Sequence, residues 1–250
     1  MLKTNKKKLI ISILLDNNTY SNKCTKIVDE LVKCIEKEYS YLGGIELLEN
    51  KLLEKGQILF CKNCKTCFKT HRCILDKSDD MNIARNALKT SDLFIIATPV
   101  YEKNVSAFIK AFLDRTGYWC HTMEMLGKKC VIVVTGKFSG IENVCNYLYE
   151  ICSFMGFNVI AVISENYLKS QKDLSCEINF IARRIFEIDI VESISISNYL
   201  LEKIYKKYKT IYINTNDNSF ETTYWKNSRY IDTYEDFCKI VIENKLLDVL

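Results

Sequence analysis

A chain of 250 residues, 48% of them hydrophobic, fits one large domain or a domain with an extension, and it can bury a sizeable core without disulfides. Its 35 basic and 31 acidic residues leave a net charge of +4, too small an excess to argue for nucleic acid as a partner. The lysines ahead of Leu9–Leu15 imitate an export signal, but the apolar run is short, Asp16 closes it, and no small-residue cleavage site follows. The apolar-looking span from Val144 to Ile163 is divided by Asn146, Glu150, Gly156 and Asn158, so no membrane span is expected. Eight of the 12 cysteines are scattered through apolar segments, where they read as small buried hydrophobes. A reducing cytoplasm is the setting this implies.

In chain order, Leu9–Leu15 is a continuous apolar run of strand length, as a parallel strand covered on both faces requires. Polar residues follow, then a helix with Ile27, Leu31, Val32 and Ile35 at helical spacing. Gly43-Gly44 ends that unit and Ile45–Leu48 is a second strand. Asp79 or Asp80 caps a helix running to about Lys89. Leu93–Ala97 is a third strand; Ser106 opens a helix with Phe108, Ile109, Phe112 and Leu113 on one face. Val131–Val134 is a fourth strand, a helix runs from Ile141 to Met155, Val159–Ile163 is a fifth strand, and a helix spans Asp173 to Phe186. Strands alternating with helices predict an α/β fold with an open, doubly wound, five-stranded parallel sheet over residues 1–187. Residues 188–250 break the alternation; they read as a C-terminal extension, helical from Ile196 to Tyr208, packing on the same or a neighbouring subunit.

Between the second strand and the next helix lies Cys61-Lys-Asn-Cys64-Lys-Thr-Cys67-Phe-Lys-Thr-His-Arg-Cys73. Clustered cysteines in a reducing setting point to metal or redox chemistry. A loop of this spacing can wrap its sulfurs around one iron–sulfur centre, whereas structural zinc usually takes two C-x2-C hooks separated by a longer loop. The spacing is open to three readings: a 4Fe–4S cluster on Cys61, Cys64, Cys67 and Cys73; free thiols in a packed loop; or zinc or a regulatory disulfide. The two histidines are too few for a histidine-based hydrolase or metal site, and His71 reads as an exposed residue of the loop. No Walker or Rossmann glycine motif is present.

In a sheet of this class a ligand sits beyond the carboxyl ends of the strands. Three polar loops leave those ends. The first precedes a helix, so Thr19, Ser21, Asn22 and Thr25, with Lys23, can face an anion at the positive helix end or act as an ordinary cap. The second carries the only proline, Pro99, beside Tyr101 and Asn104, a rigid turn able to lie along a flat ring. The third, Thr135 to Gly140, has two glycines that let the backbone approach a ligand.

These residues resemble the flavodoxin-like NADPH-dependent FMN reductase family, in its iron–sulfur flavoprotein branch. The resemblance runs from about Lys8 to Ile163 and rests on three blocks. They are Cys61–Cys73 followed by Ser78-Asp79-Asp80-Met81; Thr98-Pro99-Val100-Tyr101, Asn104-Val105-Ser106 and Lys110-Ala111-Phe112-Leu113-Asp114-Arg115; and Tyr224-Trp225-Lys226. It implies a sheet of order 2-1-3-4-5 that carries FMN, in a homodimer or homotetramer, with NAD(P)H as co-substrate. Carried over by position, it implies a phosphate loop with Asp16, Asn18, Thr19, Ser21, Asn22 and Lys23. Ring contacts would come from Pro99, Val100, Tyr101, Asn104, Thr135, Gly136, Ser139 and Gly140. The first loop departs from the family's Gly-Ser-Pro-Arg: Leu15-Asp16-Asn17-Asn18 stands there, and Asp16 sets a negative charge that Lys23 can offset. Lys137 and Phe138 replace small residues in the third loop, and Glu102 stands where an aromatic is common.

The function expected on this basis is an FMN-dependent oxidoreductase moving electrons from a nicotinamide or protein donor to a small-molecule or protein acceptor. Two alternatives stand beside it: a non-enzymatic electron carrier with the same cofactors, and a cofactor-poor scaffold built on the same fold.

Overall fold

The computed structural model describes residues 8–15, 22–49, 58–137, 139–165, 170–190 and 199–242. Its elements are β1 (Leu9–Leu15), α1 (Asn22–Tyr39), β2 (Ile45–Glu49), α2 (Thr66–Thr70), α3 (Met81–Thr90), β3 (Leu93–Pro99), α4 (Ala107–Thr116), α5 (Trp119–Thr122), β4 (Lys129–Thr135), α6 (Ile141–Phe154), β5 (Asn158–Glu165), α7 (Gln171–Ile190), α8 (Tyr199–Ile213), α9 (Phe220–Asn227) and α10 (Tyr234–Ile242). The five strands pair in the order β2-β1-β3-β4-β5 and all run parallel.

Strand periodicity explains why both faces of this sheet are apolar. Along β3, Leu93, Ile95 and Ala97 point to one side, with Val131 and Val133 of β4, and meet α1 and α7. Phe94 and Ile96, with Cys130, Ile132 and Val134, point to the other side and meet α3, α4 and α6. The central strands therefore have no solvated face, and their sequences read as unbroken apolar runs.

The strands are longer than their apolar cores suggest. β3 runs through Thr98 to Pro99, β4 ends on Thr135, and β5 reaches Ser164-Glu165. Backbone pairing continues past the last hydrophobic residue because the neighbouring strand still offers partners, as between Pro99 and Thr135 or Thr135 and Glu165.

The described part of the extension, α8 to α10, builds a third core. Trp225, Tyr205, Tyr224 and Phe237 pack on Met123 and Leu126 of the sheet domain. Trp225 is fully buried and its Nε1 donates to the backbone oxygen of His121 at 2.8 Å. Tyr224 and Trp225, from the tail block singled out above, cover their own chain, whereas Tyr230 is 77% exposed. The helix expected over Ile196 to Tyr208 is α8, which runs on to Ile213; Ile196 itself lies outside the described residues. Helices α9 and α10 escape periodicity analysis because they are short and their aromatic residues face a core of their own.

Among the scattered cysteines, Cys24, Cys120, Cys130, Cys152 and Cys238 are buried as expected of small hydrophobes. Cys34 and Cys145 are half-buried and Cys176 is exposed, which corrects the expectation for those three. They lie on helix faces, where apolar neighbours in sequence do not guarantee burial.

Candidate functional site

The carboxyl rim of the sheet is assembled by backbone bonds. Val100 N–H donates to Thr135 O at 2.9 Å, and Gly136 N–H donates to Glu165 O at 3.1 Å. These bonds set the loops after β3, β4 and β5 side by side. The turn Tyr101–Asn104 closes on itself through Tyr101 N–H to Asn104 O at 2.9 Å and Asn104 N–H to Tyr101 O at 2.8 Å. Its two central residues are left-handed, Glu102 at φ 46° and Lys103 at φ 61°. That is the twist a tight antiparallel turn needs, held here without glycine. Ser106 then caps α4 by accepting from Ile109 N–H at 3.3 Å.

Gly140 explains how the second and third loops fit. It has φ +98°, and a Cβ there would lie 2.7 Å from Lys103 Cα. Only glycine lets the Tyr101–Asn104 turn lie against the start of α6. Between the loops opens a pocket of about 490 Å³ lined by Lys23, Pro99, Val100, Tyr101, Thr135, Gly136 and Ser139, together with Glu102, Lys103 and Lys137. Tyr101, 41% exposed, offers an aromatic surface there.

Seven of the residues singled out for a cofactor thus line one pocket. Asn104 and Gly140 do not line it. Asn104 is consumed by the turn, its Oδ1 accepting from Val105 N–H at 2.8 Å, and Gly140 serves the packing just described. Asp16, Asn18, Thr19 and Ser21 lie outside the described residues, as does the side chain of Asn22. Lys23 stands at the start of α1, and its Nζ is 2.6 Å from Oε1 of Glu165. Glu165 was not anticipated; the strand end was expected at Ile163. Its second oxygen, Oε2, is buried without a partner. An acidic residue two positions past an apolar strand run, on the carboxyl edge, was the signal available in the sequence.

The cysteine loop is a second site, built by ionic clamps. Three of its residues are left-handed without being glycine: Asn63 at φ 50°, Lys65 at φ 58° and His71 at φ 56°. These bends turn Cys61, Cys64, Cys67 and Cys73 onto one small cavity of about 40 Å³, closed by Phe68, Leu75 and Arg115. Asp79 holds the start of the loop, accepting from Leu59 N–H at 2.9 Å, while Arg115 Nη1 donates to Leu59 O at 3.0 Å and to Asp79 Oδ2 at 2.7 Å. Asp76 holds the end, accepting from Cys73 N–H at 3.1 Å and pairing with Arg85. Burial works to raise the Asp79 carboxyl, but the Arg115 guanidinium and the N–H groups of Leu59 and Met81 win and hold it below its ordinary value. Asp79 or Asp80 was expected to cap α3; Asp80 occupies the N-cap position without a side-chain capping bond, while Asp79 accepts from Met81 N–H at 3.2 Å and has the clamp as its larger task.

The thiols differ in environment. Burial, then the neighbouring Cys73 and Cys61, pushes Cys67 up to about 11. Hydrogen bonding from Thr66 lowers exposed Cys64. His71 is not the exposed residue expected. Its ring stacks on Phe220 of α9 at 4.2 Å, and Nε2 lies 3.0 Å from Oε2 of Glu124. Phe68 meets His121 at 4.9 Å, and His121 Nδ1 is 2.7 Å from the Tyr212 hydroxyl. The cysteine loop therefore rests on the C-terminal helices, a contact spanning most of the chain that local sequence could not reveal. Among the described residues, no three His, Cys, Asp or Glu side chains are placed to hold a single metal ion. None of the described helices is long and apolar enough to cross a membrane.

An all-parallel sheet of this strand order, with a pocket at its carboxyl rim, defines a flavodoxin-like protein. The chain belongs to the NADPH-dependent FMN reductase family, whose family model matches residues 21–167. It is similar to the iron-sulfur flavoprotein of Archaeoglobus fulgidus, with 30% identity over 147 residues, 58% of this chain and 63% of the relative. An iron-sulfur flavoprotein of Methanosarcina thermophila is 29% identical over 93 residues, 37% of this chain and 44% of that one. The chain thus spans 63% and 44% of the lengths of these curated relatives. Among solved structures, RosB with bound 8-demethyl-8-formylriboflavin-5'-phosphate superposes with a TM-score of 0.57 at 14% identity, over 85% of this chain and 89% of that one.

Proposed function

We propose that this chain is an FMN-dependent oxidoreductase that takes electrons from NAD(P)H or a protein donor. In this reading a 4Fe–4S cluster rides on Cys61, Cys64, Cys67 and Cys73, and the working form is a homodimer or homotetramer. The observation that carries the reading is the pocket at the rim, where two loops of the family's fold meet around Tyr101 and Gly136.

The residues present fit the cofactor. Pro99, Val100 and Tyr101 form a stiff wall against which a flat ring can lie. Lys23, Lys103 and Lys137 supply positive charge to an anionic ligand, and Glu102, which lines the same pocket, opposes them. Bound there, FMN accepts electrons in pairs and releases them singly, while the protein contributes position and field. Pairing of Lys23 with Glu165 takes part of that positive charge out of play.

The thiols also fit a cluster. Each iron of a cubane takes one thiolate, so its ligands stand around a cavity rather than converging on a point; that the four cysteines line one cavity supports this reading. Such a cluster exchanges one electron at a time, which suits the single-electron step of a flavin. Helix α4 connects the two sites. Its first turn follows the rim loop and its last turn carries Arg115 to the thiol cavity, so they stand on the order of 15 Å apart along its axis.

The test is the visible spectrum of the anaerobically purified chain, followed by NAD(P)H oxidation with quinones or free flavin. Flavin bands over a broad cluster absorbance, with turnover, are expected. Reduction only by a small redox protein would assign a carrier instead. A colourless chain that takes up no FMN overturns the reading.

A further inference from the structure

Arg115 is entirely buried, yet it is one of the walls of the thiol cavity. Its Nη groups are engaged by Asp79 and Leu59 O, with Asp76 Oδ1 at 3.7 Å. Its Nε is buried and has no partner. A guanidinium out of water is costly unless paired, and an N–H left without an acceptor adds to that cost. Neighbouring walls of the cavity offer little to accept it: Phe68, Ile74 and Leu75 are apolar, and Asp114 is paired with Lys110. What the cavity does offer is sulfur: Cys73 lines it together with Arg115.

We propose that Arg115 tunes the sulfur-bound group of the cysteine loop, placing a fixed, buried positive charge and an unused N–H donor beside Cys73 and so raising the reduction potential of a cluster held there. This rests on the iron–sulfur reading above. Uptake of an electron makes a thiolate-ligated cluster more negative, and a cation in a low-dielectric wall stabilises that form more than a solvated one does. Hydrogen bonds to the sulfurs act in the same direction. Lys62 and Lys65 are nearer in sequence but exposed, so water and salt screen them. Asp79 is the counterweight: its carboxylate neutralises part of the field of Arg115. Arg115 is a positioning and tuning residue and touches no substrate.

The two partners of one ion pair should therefore shift the potential in opposite directions. Wild type, Asp79→Asn, Arg115→Lys and the double variant Arg115→Gln/Asp79→Asn are loaded with iron and sulfide anaerobically. Each is titrated by potentiometry with EPR detection, with iron per chain and thermal unfolding measured alongside. Asp79→Asn should raise the midpoint potential, because the guanidinium is no longer neutralised. The double variant should lower it, and Arg115→Lys should fall between wild type and the double variant. A purely structural pair would give shifts of one sign that follow the loss of stability, and that result overturns the proposal. So do unchanged potentials in variants that carry the cluster. Should the double variant lose its iron, the comparison rests on Asp79→Asn and Arg115→Lys: a raised potential in the first with a lowered one in the second supports the proposal, and shifts of one sign overturn it. Should Asp79→Asn and the double variant fail to fold, Arg115→Lys decides alone: a potential below wild type supports the proposal and an equal one overturns it. A folded wild type that takes up no iron overturns the iron–sulfur reading and this inference with it, whereas a normal wild-type cluster with unmoved variants sinks this inference only.

Discussion

The rim pocket and the cysteine loop lie at opposite ends of α4 and are held in place by different forces. At the rim, the sheet does the positioning. Main-chain bonds carry the register of β3, β4 and β5 into the loops, so Val100, Thr135 and Glu165 are set side by side almost regardless of their side chains. The cysteine loop has no such frame. Its ends are held by Asp79–Arg115 and Asp76–Arg85, and its back rests on α9 through His71 and Phe220. Backbone order tolerates sequence drift; a side-chain clamp does not. This difference explains how the rim accepts Glu102 and Lys137, while the loop that carries the thiols depends on a few charged residues far apart in the chain.

Substitutions that act on one region and spare the other test this contrast. The largest expected effect is on iron: Cys64→Ser should abolish loading and leave the unfolding midpoint nearly unchanged, because Cys64 is exposed. Iron analysis and thermal unfolding check both halves, and normal iron content would remove Cys64 from the ligand set. Next is Trp225→Ala. Losing this fully buried side chain should cost about 3–5 kcal/mol. If the extension backs the cysteine loop as described, hydrogen exchange should rise over residues 66–73 and stay low in β3 and β4. Equal protection loss in both would dissolve the contrast.

Glu124→Gln should cost roughly 2–3 kcal/mol. Burial alone would raise this carboxyl, but His71 and Lys89 hold it down at about 2 from an ordinary 4.5. A depressed carboxyl stabilises the fold fully above its unfolded value and loses that contribution as pH falls through the folded one. The wild type should therefore lose stability between 4.5 and about 2, and the variant should lose less across that window. Urea unfolding on either side of it is the measurement.

At the rim, Gly140→Ala places a Cβ against Lys103 in a left-handed backbone and should cost about 1–3 kcal/mol. FMN affinity should fall with it, with iron content unchanged; fluorescence titration with FMN reads the first and iron analysis the second. The smallest effect is expected for Glu165→Gln. Releasing Lys23 from a partly exposed pair should tighten FMN binding by a few-fold, in line with the ~0.2–1 kcal/mol such pairs are worth. Unchanged or weaker affinity would place the phosphate away from Lys23.

The number and parallel direction of the strands could be read from the sequence because they depend on local pattern, while their order was implied by the family resemblance. Unbroken apolar runs need two covered faces, alternating helices supply them, and right-handed crossovers leave little freedom. The cysteine spacing and the Thr98–Arg115 block were equally visible, since their residues are close in sequence. What could not be read is everything set by distant pairs. Asp79 meeting Arg115, His71 leaving solvent for Phe220 and Glu124, and Glu165 claiming Lys23 each join residues from separate elements. Periodicity reports which face of an element is buried, but only the packing of elements decides which charged group it is buried against. Those pairings fix whether a thiol cavity faces a cation and whether a rim lysine is available to an anion.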